Sequence, residues 1–368
     1  MISVLGSHMG SEELAEIQDC LERQWPGPGP KSATFEAEFC QYRGLPNLVV
    51  VNSGSSALYL ATTLLALPPG SDIIVPSFTW VSCAHSILLA GHRPVFCDVD
   101  LDTQNVTADT IAEVMTPATR AIMVVHYAGL PVQLQPVIAL GLPIIEDAAH
   151  AVASMLAGRP CGGIGDIGVF SYDAVKNLAM GEGGAVTSRH QALADRARLL
   201  RYCGVVKSGF DAANTAHPRW WEHEICAVFP KLLVSDLNAA VGLAQLRKLD
   251  ALQARRKRIW DIYQKEFADL DWLRRPSEAG PADRHSYFTY LVRIPNRDRS
   301  ARTLYQQGIY TTLRYHPLHL NPIFDTKVSL PNTERLGADA LNLPLHPRLT
   351  DDEVATIVAA VRTLPASW

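Results

Sequence analysis

No run of eighteen or so apolar residues occurs in the 368-residue chain, which removes a membrane-spanning helix from consideration. Basic blocks are missing too. The formal net charge is −4 and lysine and arginine are dispersed, which argues against a nucleic-acid partner. The amino-terminal stretch has neither the charged opening nor the long apolar centre of a secretion signal. Cysteine occurs seven times, an odd count, with no Cys-x-x-Cys pair. That pattern argues against a disulfide framework and a zinc site, and for reduced thiols in a cytoplasm. Cys20 and Cys97 read as small core side chains. Repeats, low-complexity tracts and a Gly-x-Gly-x-x-Gly turn after the first strand are absent as well. With no acidic residue placed for a ribose, a nicotinamide enzyme is disfavoured.

What is present is the composition of an ordinary globular enzyme, 48% hydrophobic and 19% charged, with length enough for two domains. Residues 11–23 read as a first helix with Ser11 as its N-cap. An irregular Pro/Gly crossing at 26–30 and a second helix at 35–42 follow. From residue 48 onward, β-like runs at 48–51, 73–76, 95–98, 122–125, 143–146, 169–171 and 185–187 alternate with helical ones. Such alternation predicts an α/β fold, with a mainly parallel seven-stranded sheet flanked by helices. After a helix at 191–200 comes an irregular stretch, 203–230, whose length is typical of a functional loop. Two strong helical patterns, 236–249 and 251–270, carry the chain away from the sheet. Strands at 287–294 and 311–315 and helices at 300–307 and 352–364 predict a smaller α+β unit. The expected division is 1–245 and 246–368.

The chemistry concentrates in 168–184, GVFSYDAVKNLAMGEGG. Lys176 follows a short apolar run and Ser171, and precedes a glycine-rich turn. A desolvated lysine has a lowered pKa, and its neutral amine can form a Schiff base with a carbonyl. A surface lysine on a strand–turn–strand connection fits this stretch equally well taken alone. Asp147 adds the second half, because it falls at the carboxyl end of the strand 143–146, where open α/β sheets bind ligands. A lysine for an aldehyde and a carboxylate for a ring nitrogen are what pyridoxal 5′-phosphate (PLP) needs. Asn52–Ser56 forms a strand–turn–helix junction where Ser55 and Ser56 can present N–H groups and hydroxyls to an anion, or simply cap the helix.

At this point the sequence resembles the DegT-type sugar aminotransferases, which are fold-type I PLP enzymes. The matching elements are VNSGSSAL (51–58), VPSFTW (75–80), VFCDVD (95–100), VVHYAGLP (124–131), IEDAAHA (145–151), FSYDAVKNLAMGEGG (170–184) and SDLNAAVGLAQL (235–246). Residues 2–5 fit the family's amino-terminal pattern, so the tag-like Gly6-Ser7-His8-Met9 reads as native. The resemblance implies one antiparallel strand in the sheet.

It also implies roles. Lys176 is the Schiff-base residue and Asp147 the partner of the ring nitrogen. Ser55, Ser56 and Ser171 face the phosphate, Trp80 stacks on the ring, and His150 orients Asp147 or packs near the ring. Glu182 is a turn residue near the site with no catalytic role. Asn238 crosses a homodimer interface to the partner's phosphate, so that the two active sites are shared. His316 and His319 fall where the family brings its small domain to the substrate mouth. Arg219, beside two tryptophans, and Arg314 are candidates for sugar, diphosphate or donor-carboxylate contacts. The implied activity is transfer of an amino group from glutamate or glutamine, through the pyridoxamine form, to a ketosugar. The acceptor is nucleotide-linked or a precursor of an antibiotic sugar or cyclitol, and the loop 203–230 sets its identity. A PLP-dependent sugar dehydratase and a non-catalytic regulatory relative are the alternatives. Lys176 counts against the first, and the intact Asp147, Lys176 and Ser171 set against the second.

Overall fold

The computed structural model describes residues 1–206 and 221–364. The helices are α1 (Ser11–Glu22), α2 (Pro30–Arg43), α3 (Gly54–Leu64), α4 (Ser82–Leu89), α5 (Ala108–Ala112), α6 (Leu134–Ile138), α7 (Gln191–Leu200), α8 (Asp236–Arg247), α9 (Leu249–Glu266), α10 (Arg297–Gln306), α11 (Pro331–Asp339) and α12 (Asp351–Arg362). The main sheet contains β1 (Val49–Val51), β2 (Asp72–Pro76), β3 (Arg93–Cys97), β4 (Thr119–Val125) and β5 (Ile144–Asp147). After a small hairpin, β6 (Met155–Leu156) and β7 (Arg159–Pro160), the sheet is completed by β8 (Ile167–Ser171) and β9 (Gly184–Thr187). Its order is β1-β9-β8-β5-β4-β2-β3, with β9 the one strand running against the rest. The mainly parallel seven-stranded sheet and its single reversed strand are therefore as expected.

These strands are apolar along their length because helices cover both faces. Val49, Val51, Ile73, Val75, Met123 and Val125 face a core with α3, α4 and α7. The alternate residues Val50, Ile74, Ile122 and Val124 face the opposite layer, beneath α2, α5, α6 and α8. A separate core of Trp260, Tyr263, Phe267, Tyr290, Leu304 and Val361 holds α9, α10 and α12 on an antiparallel pair, β10 (Tyr290–Arg293) with β11 (Ala340–Leu343).

Several expected boundaries change for reasons that lie far along the chain. Gly10, not Ser11, caps α1, and its N–H donates to Glu13 at 2.7 Å. Helix α2 starts at Pro30 because the Asp236 carboxylate accepts from the N–H groups of Gly29, Lys31 and Ser32 at 2.9–3.0 Å. The strand expected at 311–315 is a single bridge, Thr312 to Asn342. Asn342 Oδ1 captures the Arg314 N–H at 2.8 Å, so pairing stops there. Helix α11 and strand β11 were not anticipated.

Candidate active site

Strand alternation aims the two central side chains. On β5, Ile145 packs against α3 and α4, and Asp147, two residues on, shares its face. Ser171 follows Val169 in the same way on the neighbouring parallel strand β8. Both open at the carboxyl edge of the sheet into a cavity of about 350 Å³. Lys176 enters that cavity from the turn after β8, together with Asp173, Val175 and Glu182.

Lys176 Nζ lies 4.8 Å from the Phe288 ring centroid, and Arg314 Cζ lies 4.9 Å from the same ring. Burial and the nearby guanidinium push the lysine pKa down to about 8, with Asp147 and Asp173 opposing the shift. The expectation of a lysine with managed charge is thereby met, and the surface alternative is not. Asp147 is held at both oxygens. Oδ1 accepts from the Ala149 N–H at 2.9 Å, and Oδ2 accepts from Cys83 Sγ at 3.1 Å. The Cys83 thiol is fully buried, and burial followed by Asp147 raises its pKa, so it stays a donor.

His150 does not orient Asp147. Its ring stacks on Phe288 at 4.0 Å and 16°, and Nε2 lies 3.2 Å from the Tyr315 hydroxyl. Burial and the charges of Lys176 and Arg314 lower its pKa well below that of an ordinary histidine, so the ring is neutral. Its Nδ1 is buried with no partner among the described residues. Trp80 lines the cavity with 54% of its surface exposed, its ring 5.3 Å from that of Tyr315, which excludes a plain core tryptophan.

Helix α3 begins at the cavity. Ser53 is its N-cap, accepting from the Ser56 N–H at 3.1 Å, and Ser53 and Ser56 hydroxyls are 3.0 Å apart. Ser56 is therefore committed to the cap and is not among the cavity residues, whereas Ser53 and Ser55 are. Ser55 Oγ lies 2.6 Å from Ser82 Oγ. A Cβ on Gly54 would sit 2.7 Å from Ser171 Cβ, so only glycine lets this helix start close on β8.

Other expected site residues stand elsewhere. His319 is buried away from the cavity, its N–H donating to Ser77 Oγ at 3.0 Å and that hydroxyl returning a bond to Nδ1 at 2.7 Å. It fastens the 317–320 turn to the end of β2 and does not reach the substrate mouth. His316 is exposed and outside the cavity lining, while Arg314 is buried within it. Asn238 Nδ2 donates to Met180 O at 2.9 Å and is not part of its own chain's cavity. Arg219 lies outside the described residues. Glu182 lines the cavity, and burial, then Asp173, raises its pKa.

Sequence reading missed Cys83, Tyr315, Phe288 and the buried pair beside Asp147. Thr79, in the bend before α4, has its Oγ1 3.3 Å from Cys83 Sγ in the first turn of that helix. Glu146 Oε2 lies 3.0 Å from His126 Nε2. The Val132 N–H donates to His126 Nδ1 at 3.0 Å, which leaves the proton of a neutral imidazole on Nε2, facing Glu146. Glu146 also accepts from the N–H groups of Gly162, Ile164 and Gly165, and against the effect of burial its bond with His126, followed by those from Gly165 and Gly162, holds its pKa below the usual value.

These residues fit PLP. A lysine of lowered pKa and a braced carboxylate share one cavity with a helix start, and the His150 nitrogen there is unsatisfied. Among the described residues no His, Cys, Asp and Glu group could hold a metal. The arrangement is that of a PLP-dependent aminotransferase. The chain belongs to the DegT/DnrJ/EryC1/StrS aminotransferase family, whose profile matches residues 7–362. It is 39% identical over 366 residues to the dTDP-4-dehydro-2,3,6-trideoxy-D-glucose 4-aminotransferase of Saccharopolyspora spinosa, covering 97% of this chain and 95% of that one. Its fold matches the aminotransferase TlmJ from Streptoalloteichus hindustanus with a TM-score of 0.93, 39% identity and 98% of each chain covered. A candidate sugar aminotransferase from Streptococcus pneumoniae, solved in its PLP form, matches with a TM-score of 0.90 and 26% identity over 98% and 97% of the chains.

Proposed function

We propose that this chain transfers an amino group from glutamate or glutamine to a ketosugar, with Lys176 and Asp147 as its catalytic residues. The observation that carries the reading is their meeting in one cavity, where burial and Arg314 lower the lysine pKa to about 8. Bound PLP supplies an aldehyde and an electron-withdrawing pyridinium. Asp147, fixed by Cys83 and Ala149, would be the carboxylate that holds the proton of the ring nitrogen. Lys176 Nζ would move a proton between the donor Cα and the cofactor C4′, and in the second half-reaction between C4′ and the acceptor carbon. The start of α3 and Ser55, with Ser171 opposite, offer donors to the phosphate, and Trp80 and His150 offer flat faces to the ring. Arg314 is the guanidinium available to a donor carboxylate.

The relative from Saccharopolyspora spinosa supports a dTDP-linked 4-ketohexose poor in hydroxyls as the acceptor. An antibiotic-sugar pathway and a cytoplasmic location rest on family membership. The core around β10 and β11 supports a division near residue 245, crossed by residue 2, which packs on that core, and by Leu318, Leu330 and Leu336, which pack on the sheet cores. A homodimer with shared sites is part of the proposal. It is supported by Asn238, which stands beside Met180 outside its own cavity, and by the exposed apolar residues Trp25, Ile225 and Val228.

The test is spectral. PLP-loaded protein given glutamate should lose its visible band as 2-oxoglutarate appears, and regain it with an accepted ketosugar. A band that ignores every amino donor would overturn the reading.

A further inference from the structure

The first residues of the chain run as a strap between the two cores. Ile2 pairs with the segment after α10: its N–H donates to Gly308 O at 2.7 Å, and its carbonyl accepts from the Tyr310 N–H at 2.9 Å. His346 Nε2 donates to Ser3 O at 3.1 Å. A Cβ at Gly6 would sit 2.7 Å from His346 Nδ1, so the strap lies flush on that ring. Ser7 Oγ donates to the carbonyl of Ala174, two residues before Lys176, and Gln245 Nε2 donates to His8 O at 2.8 Å. Between these ties, Val4 and Leu5 line the same cavity as Lys176, with Val175, Tyr310 and Leu313.

We propose that this strap is a specificity-determining wall of the acceptor pocket, with Val4 and Leu5 contacting a face of the sugar that lacks hydroxyls. The inference rests on the ketosugar reading above. Val4, Leu5, Val175 and Leu313 carry no hydrogen-bonding side-chain group. A sugar hydroxyl turned toward them loses its water and gains no side-chain partner, whereas a methylene or methyl gains contact. Apolar walls of this kind discriminate by roughly 10–100-fold between ligands that differ by such groups. The fastening at Ala174 holds the wall beside the lysine, so contact is made at the reacting end of the sugar.

The experiment uses PLP-loaded enzyme and two probes, a dTDP-linked 4-ketohexose without hydroxyls at C2 and C3 and its counterpart that keeps them. Binding by calorimetry and amination are measured for wild type, Leu5→Gln and Leu313→Gln, with thermal midpoint and the visible band recording fold and cofactor. Wild type should favour the hydroxyl-poor sugar by roughly 10–100-fold, and each Gln variant should cut that ratio by about fivefold or more with the band retained. Leu5→Met should keep the ratio. If wild type shows no preference, or if both Gln variants fold and keep the wild-type ratio, the strap is only a structural tie and the inference fails. The ketosugar reading fails separately, when glutamate leaves the visible band unchanged.

Discussion

Cys83 Sγ stands 3.1 Å from Asp147 Oδ2, and no water layer separates this thiol from the carboxylate at the centre of the site. A fully buried cysteine here is a donor that braces an acid. Cys83→Ala leaves one oxygen of Asp147 short of a partner, a loss of about 0.5–1.5 kcal/mol. We expect a folded protein with turnover reduced roughly 2–10-fold, and Cys83→Ser should recover part of it. In the wild type the thiol should resist iodoacetamide until the chain unfolds, because burial raises its pKa. Rapid labelling in the native state would contradict this placement.

Asp147→Asn removes the negative charge but keeps the shape. Transamination should fall by on the order of 10²–10³-fold, the scale for removing one positioned electrostatic partner. PLP should still bind. Turnover near that of the wild type would assign the ring proton to another group.

The lysine makes a pH prediction with a definite sign. Its folded pKa, about 8, lies below its ordinary value, so the neutral amine grows as pH rises through 8. Capture of PLP by cofactor-free protein, followed by absorbance, should speed up across that range and then level off. The same shift means the unfolded chain binds the proton more tightly. This group therefore adds stability to the cofactor-free fold as pH rises from about 8 toward the ordinary lysine value. Capture that keeps climbing through pH 9 toward the ordinary lysine value, with no levelling above 8, would place the lysine in solvent.

Glu146 is the structural counterpart of Asp147, one residue away on the opposite face. Glu146→Gln replaces an acceptor-only carboxylate facing three backbone N–H donors with an amide whose NH2 cannot accept from them, and should cost about 1.5–3 kcal/mol, read as a lower thermal midpoint. The carboxyl pKa is depressed in the fold. Its contribution is therefore full above the unfolded value and is lost as pH falls through the folded one. A midpoint unchanged by the substitution would deny the role.

The shared-site proposal has its own check. Lys176→Ala and Asn238→Asp chains, each inactive, are mixed under conditions that exchange subunits. One site of the mixed dimer then carries both defects and the other neither, so about half of its sites should work. No recovery, or a fully active Asn238→Asp, would contradict the shared site.

Much of this site was legible because its signals are local. The strand at 143–146 puts Asp147 at a carboxyl edge, the family resemblance picks out Ser171, and the lysine follows that serine by five residues. What escaped reading depends on distant partners. Asp236 caps a helix 204 residues earlier, Asn342 ends the pairing of 311–315, and the strap meets Gly308 and His346. His319 looked like a site residue because the family resemblance sets it at the substrate mouth, and a histidine in that pattern reads the same whether it faces a cavity or Ser77. Only packing tells the two apart.

The most direct measurement follows nitrogen. Protein loaded with PLP is given ¹⁵N-glutamate and a dTDP-linked 4-ketohexose, and the sugar product is analysed by mass spectrometry. The account predicts ¹⁵N in the sugar with wild type and none with Lys176→Ala. A sugar that loses water without gaining nitrogen, or label released only as ammonia, would contradict it.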